Sequence, residues 1–126
     1  MGRRPTPLPE QLGAVFTVSR ALEFGVGADR LIRPDLHRPA HGVRTGAAPA
    51  TLVEQLRSLA AVLPPTTVYS HATAAQLLRL PLLHPVPPGI HVRTPPGSPR
   101  IVRAGVIGHR GSGAELVVHG VRCTDP

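Results

Sequence analysis

The chain has 126 residues, enough for one modest domain or for a small module and part of a second. All 14 of its basic residues are arginine, set against seven acids, and the resulting net charge of +7 favours nucleic acid over acidic partners. The single cysteine, Cys123, excludes an internal disulfide and a cysteine-based zinc site, and no apolar run approaches the ~20 residues that span a bilayer.

Residues 1–7 read as a disordered basic arm, followed by a short helix from Glu10 to about Gly13. The start "MGRRPT" matches an acylation pattern, and Arg3-Arg4 matches a twin-arginine signal without its apolar stretch; a basic arm explains both more simply. Thr17 is placed to cap a helix in which Val18, Ala21 and Leu22 fall at i, i+3, i+4. Gly25 stands where a helix end takes a left-handed residue. The apolar pattern resumes at Ala28, Leu31 and Ile32, with Leu31 and Ile32 facing inward and Asp29, Arg30 and Arg33 outward. Pro34 ends this second helix early. Residues 37–45 then read as a short hairpin or strand with Gly42 at its turn or bulge.

After a linker at 46–49, Thr51 and Glu54 form a capping box opening a helix whose Leu52, Val53, Leu56, Leu59, Ala60 and Leu63 make a broad apolar stripe, the strongest helical signal in the chain. Thr67–Tyr69 reads as a buried strand, and Ser70 as the cap of a helix reaching about Leu80. A proline-rich connection follows, after which the period becomes two: one strand around Ile90–Thr94, another over Ile101–Arg110, a turn at 111–113, and a hairpin closed at His119-Gly120.

Two short helices joined across a glycine and followed by a hairpin describe a winged helix-turn-helix over residues 8–46. The second helix would offer Asp29, Arg30 and Arg33 to base edges, while Arg38, His41 and Arg44 on the wing would hold phosphates. Residues 55–114 carry Arg57, Arg79, Arg93, Arg100, Arg103 and Arg110 and no acid. If that region shares a face with the wing, Arg93, Arg100, Arg103 and Arg110 extend a phosphate track. The fold class expected is α+β: the winged helix, then an α/β region over 47–126 with a small antiparallel sheet.

The stretch "FTVSRALEFGVGADRLIRPDLHRPAHGVR", residues 16–44, resembles the N-terminal winged helix of the AbiEi family, the antitoxins of type IV toxin-antitoxin systems, in its actinobacterial branch. Phe16-Thr17, Gly25-Val26 and Gly42-Val43 carry the likeness; "VYSHATAAQLLRLPL", "IHV", "GHR" and "HGVRCTDP" extend it in order to residue 126. The resemblance implies a cytoplasmic regulator that binds double-stranded DNA upstream of its own gene and represses it. It implies a functional pairing with a nucleotidyltransferase toxin without a stable complex. The chain stops at Thr124-Asp125-Pro126, where family members continue, so the second region is expected to be truncated. Two other readings stand beside it: a non-catalytic protein-interaction module, and the front of a protein ending in a very-short-patch-repair-like endonuclease.

No enzyme activity, cofactor or membrane association is expected. A metal-dependent nuclease needs clustered carboxylates, and the seven acids are scattered. His37 and His41 have a metal-ligand spacing for a helix, but Pro39 interrupts it, and without cysteine or a nearby carboxylate no metal site is expected among the seven histidines. Ser70-His71 pairs a nucleophile with a base in sequence only; the capping role explains the serine better. "GHRGSG", residues 108–113, lacks the Lys and Ser/Thr of a phosphate loop and reads as a hairpin turn.

Overall fold

The computed structural model describes residues 5–82 and 88–125. Residues 1–4, residues 83–87 of the proline-rich connection and Pro126 lie outside this set. The chain divides into two compact units between Leu63 and Pro64. This division falls after the long amphipathic helix, which the sequence groups with the later residues.

The first unit opens with a 3-10 turn, Glu10–Leu12, then strand β1 (Val15–Thr17) and helix α1 (Val18–Glu23). Thr17 ends the strand and caps the helix, its Oγ1 accepting from Arg20 N–H at 3.1 Å. α1 stops at Gly25, whose φ of 84° suits a residue without Cβ. There Val26 N–H donates to Ala21 O and Gly25 N–H to Leu22 O, both at 3.0 Å, closing the paired bonds of a Schellman motif. α2 (Ala28–Leu31) is a single turn. β2 (Val43–Thr45) pairs antiparallel with β1, and His37 bridges Thr45 through two backbone bonds of 2.8 and 3.0 Å. The segment 37–45 therefore folds back as the sequence anticipates, with Gly42 at φ 81°.

The core here joins Leu12, Phe16, Ala21, Leu31 and Leu36, with Leu8, Val18 and Val26 packed against it. Two expected core residues are misplaced: Leu22 is 50% exposed and Ile32 63%. α2 ends at Leu31, so Ile32 is the cap, and the 3.6-residue period that would turn it inward no longer applies. Helix α3 (Leu52–Ala60) is capped by Thr51 as expected, its Oγ1 accepting from Glu54 N–H at 3.2 Å, while Glu54 Oε2 accepts at 2.6 Å from Ala50 N–H, one residue before the cap. It buries Leu56 and Leu59 and packs near β2.

The second unit is a six-stranded sheet with one helix. β3 (Val68–Tyr69) runs into α4 (His71–Leu77), followed by β4 (Ile90–Thr94), β5 (Val102–Arg103), β6 (Val106–Arg110), β7 (Glu115–Val118) and β8 (Val121–Thr124). The strand order is β5-β6-β4-β3-β8-β7. The sheet is mixed rather than small and antiparallel, because β4 pairs parallel with β6 and β3 parallel with β8. Alternation marks a strand but carries no information on the direction of its neighbour. The expected strand over 101–110 is broken at Gly105, φ 76°, so its first part returns as the edge strand β5. The residues 111–113 do not close a hairpin, since β6 and β7 are not neighbours; the hairpin at His119-Gly120 is present, with both residues at positive φ. α4 packs on β4 and β8 over the buried Val92, Val121 and Cys123.

Candidate functional site

The residues nominated for DNA contact divide into two kinds. Asp29, Arg38 and His41 are exposed, and Arg33 is half-buried. Arg30 is not an outward reader. Its side chain is 15% exposed, and its guanidinium grips Asp35 with two bonds of 2.9 Å while Nε donates to Thr6 O at 2.7 Å. This fork-on-carboxylate contact, with the Thr6 bond, ties the chain at residue 6 and the segment after α2 to the helix itself. Residues 6–9 thus line a groove beside the Gly25 turn rather than trailing away as a disordered arm. Arg30 also holds the Asp35 carboxyl below its usual range, chiefly through that hydrogen bond.

Arg44 is held as well. Its Nε donates to Leu31 O at 2.9 Å and its Nη1 to Val43 O at 3.0 Å. The first of these satisfies a carbonyl at the end of α2, which a one-turn helix cannot pair internally. Burial, then the neighbouring Arg38 charge, lowers the Arg44 pKa. Arg44 therefore locks β2 to the end of α2.

In the second unit, Arg100 and Arg110 are exposed, while Arg93 and Arg103 are half-buried. Arg93 Nη2 reaches Gly113 O at 3.4 Å, beside a shallow cleft bordered by residues 111–113. Arg103 lies on β5, Arg93 on β4 and Arg110 on β6; the parallel register pairs Arg110 with Thr94 and His109 with Arg93, so Arg93 and Arg110 occupy opposite faces. The four do not form one track on one face of the sheet.

A constellation not anticipated from the sequence lies in this unit. His71, His91 and His109 each offer a ring nitrogen, and these nitrogens lie within 4.8 Å of one another, the one such group of three among the described residues. His91 Nδ1 is 3.0 Å from His109 Nε2. The His71 and His109 rings stack with centroids 3.8 Å apart and planes 22° from parallel; the His91 and His109 centroids are 5.2 Å apart.

Three local features assemble it. Diagonal placement on the parallel β4–β6 pair puts His91 and His109 on one face. The start of α4 is clamped to β4, with Ser70 N–H donating to His91 O at 3.0 Å and His91 N–H donating to Thr73 Oγ1 at 2.8 Å. His71 itself takes φ 51°, a conformation that costs a non-glycine residue on the order of 1–3 kcal/mol unless its surroundings impose it.

That conformation explains a second departure. The Ser70 hydroxyl makes no helix-capping bond; its Oγ lies 2.9 Å from His71 Nδ1. Ser70 is 1% exposed, so the pair lacks the accessible hydroxyl a nucleophile needs, and Ser70 orients the ring instead. Burial, then the adjacent His71, holds His91 below the ordinary imidazole range. Burial followed by His71, His91 and Arg100 does the same to His109. Both rings are thereby favoured in the neutral form, the form with a lone pair to offer. His91 Nε2 is buried with no hydrogen-bond partner. His37 and His41, the pair with metal-like spacing, lie on no helix.

No known protein-family model matches the chain, and no curated protein matches it significantly. No helix among the described residues is long and apolar enough to cross a membrane.

Proposed function

We propose that the chain is a DNA-binding transcriptional regulator of the antitoxin type, with residues 8–46 of the first unit as a winged helix-turn-helix. The observation carrying this reading is the α1–Gly25–α2 turn, closed by its Schellman bonds and braced by β1, β2 and the His37 bridge. Two short helices set against a small antiparallel wing are the frame on which such modules present a helix to the major groove. The excess of arginine supplies the electrostatic attraction.

The internal bonds of Arg30 and Arg44 redistribute the roles within this reading. Asp29 and Arg33 remain the candidates for base edges, Arg38 and His41 for phosphates, and Arg30 and Arg44 hold the reading head in shape. Arg100 and Arg110, both exposed, are candidates for further phosphate contacts. The operator would lie upstream of the chain's own gene, giving autorepression in the cytoplasm. Any antitoxic effect on a nucleotidyltransferase would be exerted without a lasting complex, and the chain itself would not be an enzyme.

Fluorescence anisotropy with a labelled duplex from that upstream region tests the proposal. Binding should weaken steeply with salt, and Arg38→Ala should reduce the slope of log affinity against log salt by about 1. Arg33→Ala should reduce discrimination against unrelated DNA. Equal affinity for the upstream duplex and a scrambled one rejects a sequence-specific regulator.

A further inference from the structure

We propose that His71, His91 and His109 form a binding site for one divalent transition-metal ion of the zinc class in the second unit. The proposal is independent of the DNA-binding reading, since the three residues belong to α4, β4 and β6.

The donor set selects the metal. Three imidazoles without a carboxylate suit Zn²⁺, Co²⁺, Ni²⁺ or Cu²⁺ and disfavour Mg²⁺ and Ca²⁺, which take oxygen ligands. Distances fit this choice. Zinc–nitrogen bonds of about 2.0–2.1 Å place tetrahedral ligand atoms roughly 3.3 Å apart. His91 Nδ1 and His109 Nε2 are already 3.0 Å apart, and the remaining spacings reach at most 4.8 Å. A movement of about 1.5 Å closes the widest gap. His71, the exposed member, is the ring with room to make it.

The surroundings also fit. A metal-bound imidazole usually uses its other nitrogen on a hydrogen-bond partner that fixes the ring. Ser70 Oγ, buried and 2.9 Å from His71 Nδ1, is such a partner and leaves Nε2 of His71 to ligate. The protein's own hydrogen bonds do not saturate the cluster: one proton serves the His91–His109 contact, and His91 Nε2 has no partner. Two partly buried rings already hold a pair of ring nitrogens 3.0 Å apart, close to the spacing of two ligands on one ion. Three protein ligands leave a fourth position on the metal for water or another donor.

The test uses the full chain, purified without a polyhistidine tag and stripped with a chelator. Co²⁺ titration followed by visible absorption, and Zn²⁺ titration against a chromophoric chelator, should each give one ion per chain. His109→Gln and His91→Gln should weaken binding by more than the ~10–100-fold typical of losing an outer-shell partner, and Ser70→Ala by about tenfold. His41→Gln and His119→Gln should leave it unchanged. Zn²⁺ should raise the melting temperature of the native chain and not of His109→Gln, and Mg²⁺ should raise neither. If either sheet variant fails to fold, His71→Gln, at an exposed position, carries the same expectation. Stoichiometric binding that survives in the His71→Gln/His109→Gln double variant overturns the proposal, as does native binding no tighter than millimolar.

Discussion

The two units use their polar side chains in opposite ways. In the first, arginines that look like a binding surface in the sequence are partly consumed by the fold: Arg30 closes on Asp35 and Thr6, and Arg44 closes on Leu31 and Val43. In the second, histidines that look scattered in the sequence are gathered by strand pairing into one group. The contrast teaches that charge counting measures attraction but does not identify which charges remain outward. A one-turn helix has more terminal carbonyls than internal bonds, so a nearby guanidinium is drawn inward to satisfy them. A mixed sheet, by contrast, brings together residues 18 and 20 positions apart with no local signal at all.

The sharpest break in this picture comes from the neighbours Leu31 and Ile32. Leu31 is buried in the first unit's core and Ile32 is outside it. Leu31→Ala should destabilise the first unit by about 2–5 kcal/mol, the range for removing a core leucine. Ile32→Ala should change stability by no more than about 0.5 kcal/mol. Urea denaturation followed by circular dichroism separates the two; equal losses would mean that both side chains are internal, as their helical spacing suggests.

In the second unit the comparable weak point is Gly108, beside His109. A Cβ added there would lie 2.3 Å from Ile101 O, a backbone atom that moves only with the start of β5. Gly108→Ala should cost about 1–3 kcal/mol, the usual penalty for overpacking. Gly25→Ala, in the first unit, meets no atom within 4 Å and incurs only the left-handed backbone penalty, about 1–2 kcal/mol. Hydrogen exchange should show the Gly108 variant loosening β5 and β6, while the Gly25 variant frays the end of α1. Exchange rates on β6 that do not change in Gly108→Ala would contradict the β5–β6 packing.

Arg44→Ala tests the structural use of arginine more directly. It removes two hydrogen bonds from a charged donor and leaves Leu31 O without its partner, so it should cost about 1–2 kcal/mol. Arg38→Ala, at an exposed position, should cost no more than about 0.5 kcal/mol. If Arg44 is a brace, its loss lowers DNA affinity and melting temperature together. Loss of Arg38 lowers affinity alone. A fall in affinity for Arg44→Ala with an unchanged melting temperature would return it to the contact surface.

These pairs also mark how much was legible in the sequence. Caps and stops were: Thr17, Thr51, Gly25 and the His119-Gly120 turn act through neighbours within about four residues, where the chain's chemistry is local. The orientation of Ile32 was not, because it depends on α2 ending one residue earlier than its apolar spacing implies. The partners of β4 were not, because period-two alternation is the same in parallel and antiparallel pairs. The histidine cluster followed from that same gap. Each histidine sits in its own short segment, and only the parallel β4–β6 register and the turned backbone of His71 join them. The Ser70–His71 contact was hidden for the same reason: adjacent residues face apart in regular structure, and His71 is not in a regular conformation.

The smallest expected effect is the pH dependence of the Arg30–Asp35 pair, and it decides what Arg30 is for. Asp35 has its pKa lowered from 3.8 in the folded state, so the folded chain binds its proton less readily than the unfolded chain. The pair's stabilisation is therefore complete above that ordinary value and is lost as the pH falls below it, through the lower folded value. The native chain and Asp35→Asn should differ in melting temperature at pH 6 and converge toward pH 2. Because Asp35 is well exposed, added salt should also narrow the difference. The same variant leaves Arg30 without its anionic partner. If Arg30 only braces the helix, DNA affinity should stay level or fall with stability. If freeing it strengthens binding to the upstream duplex at neutral pH, then Asp35 restrains a base-reading arginine, and the outward face of α2 extends further than its resting bonds indicate.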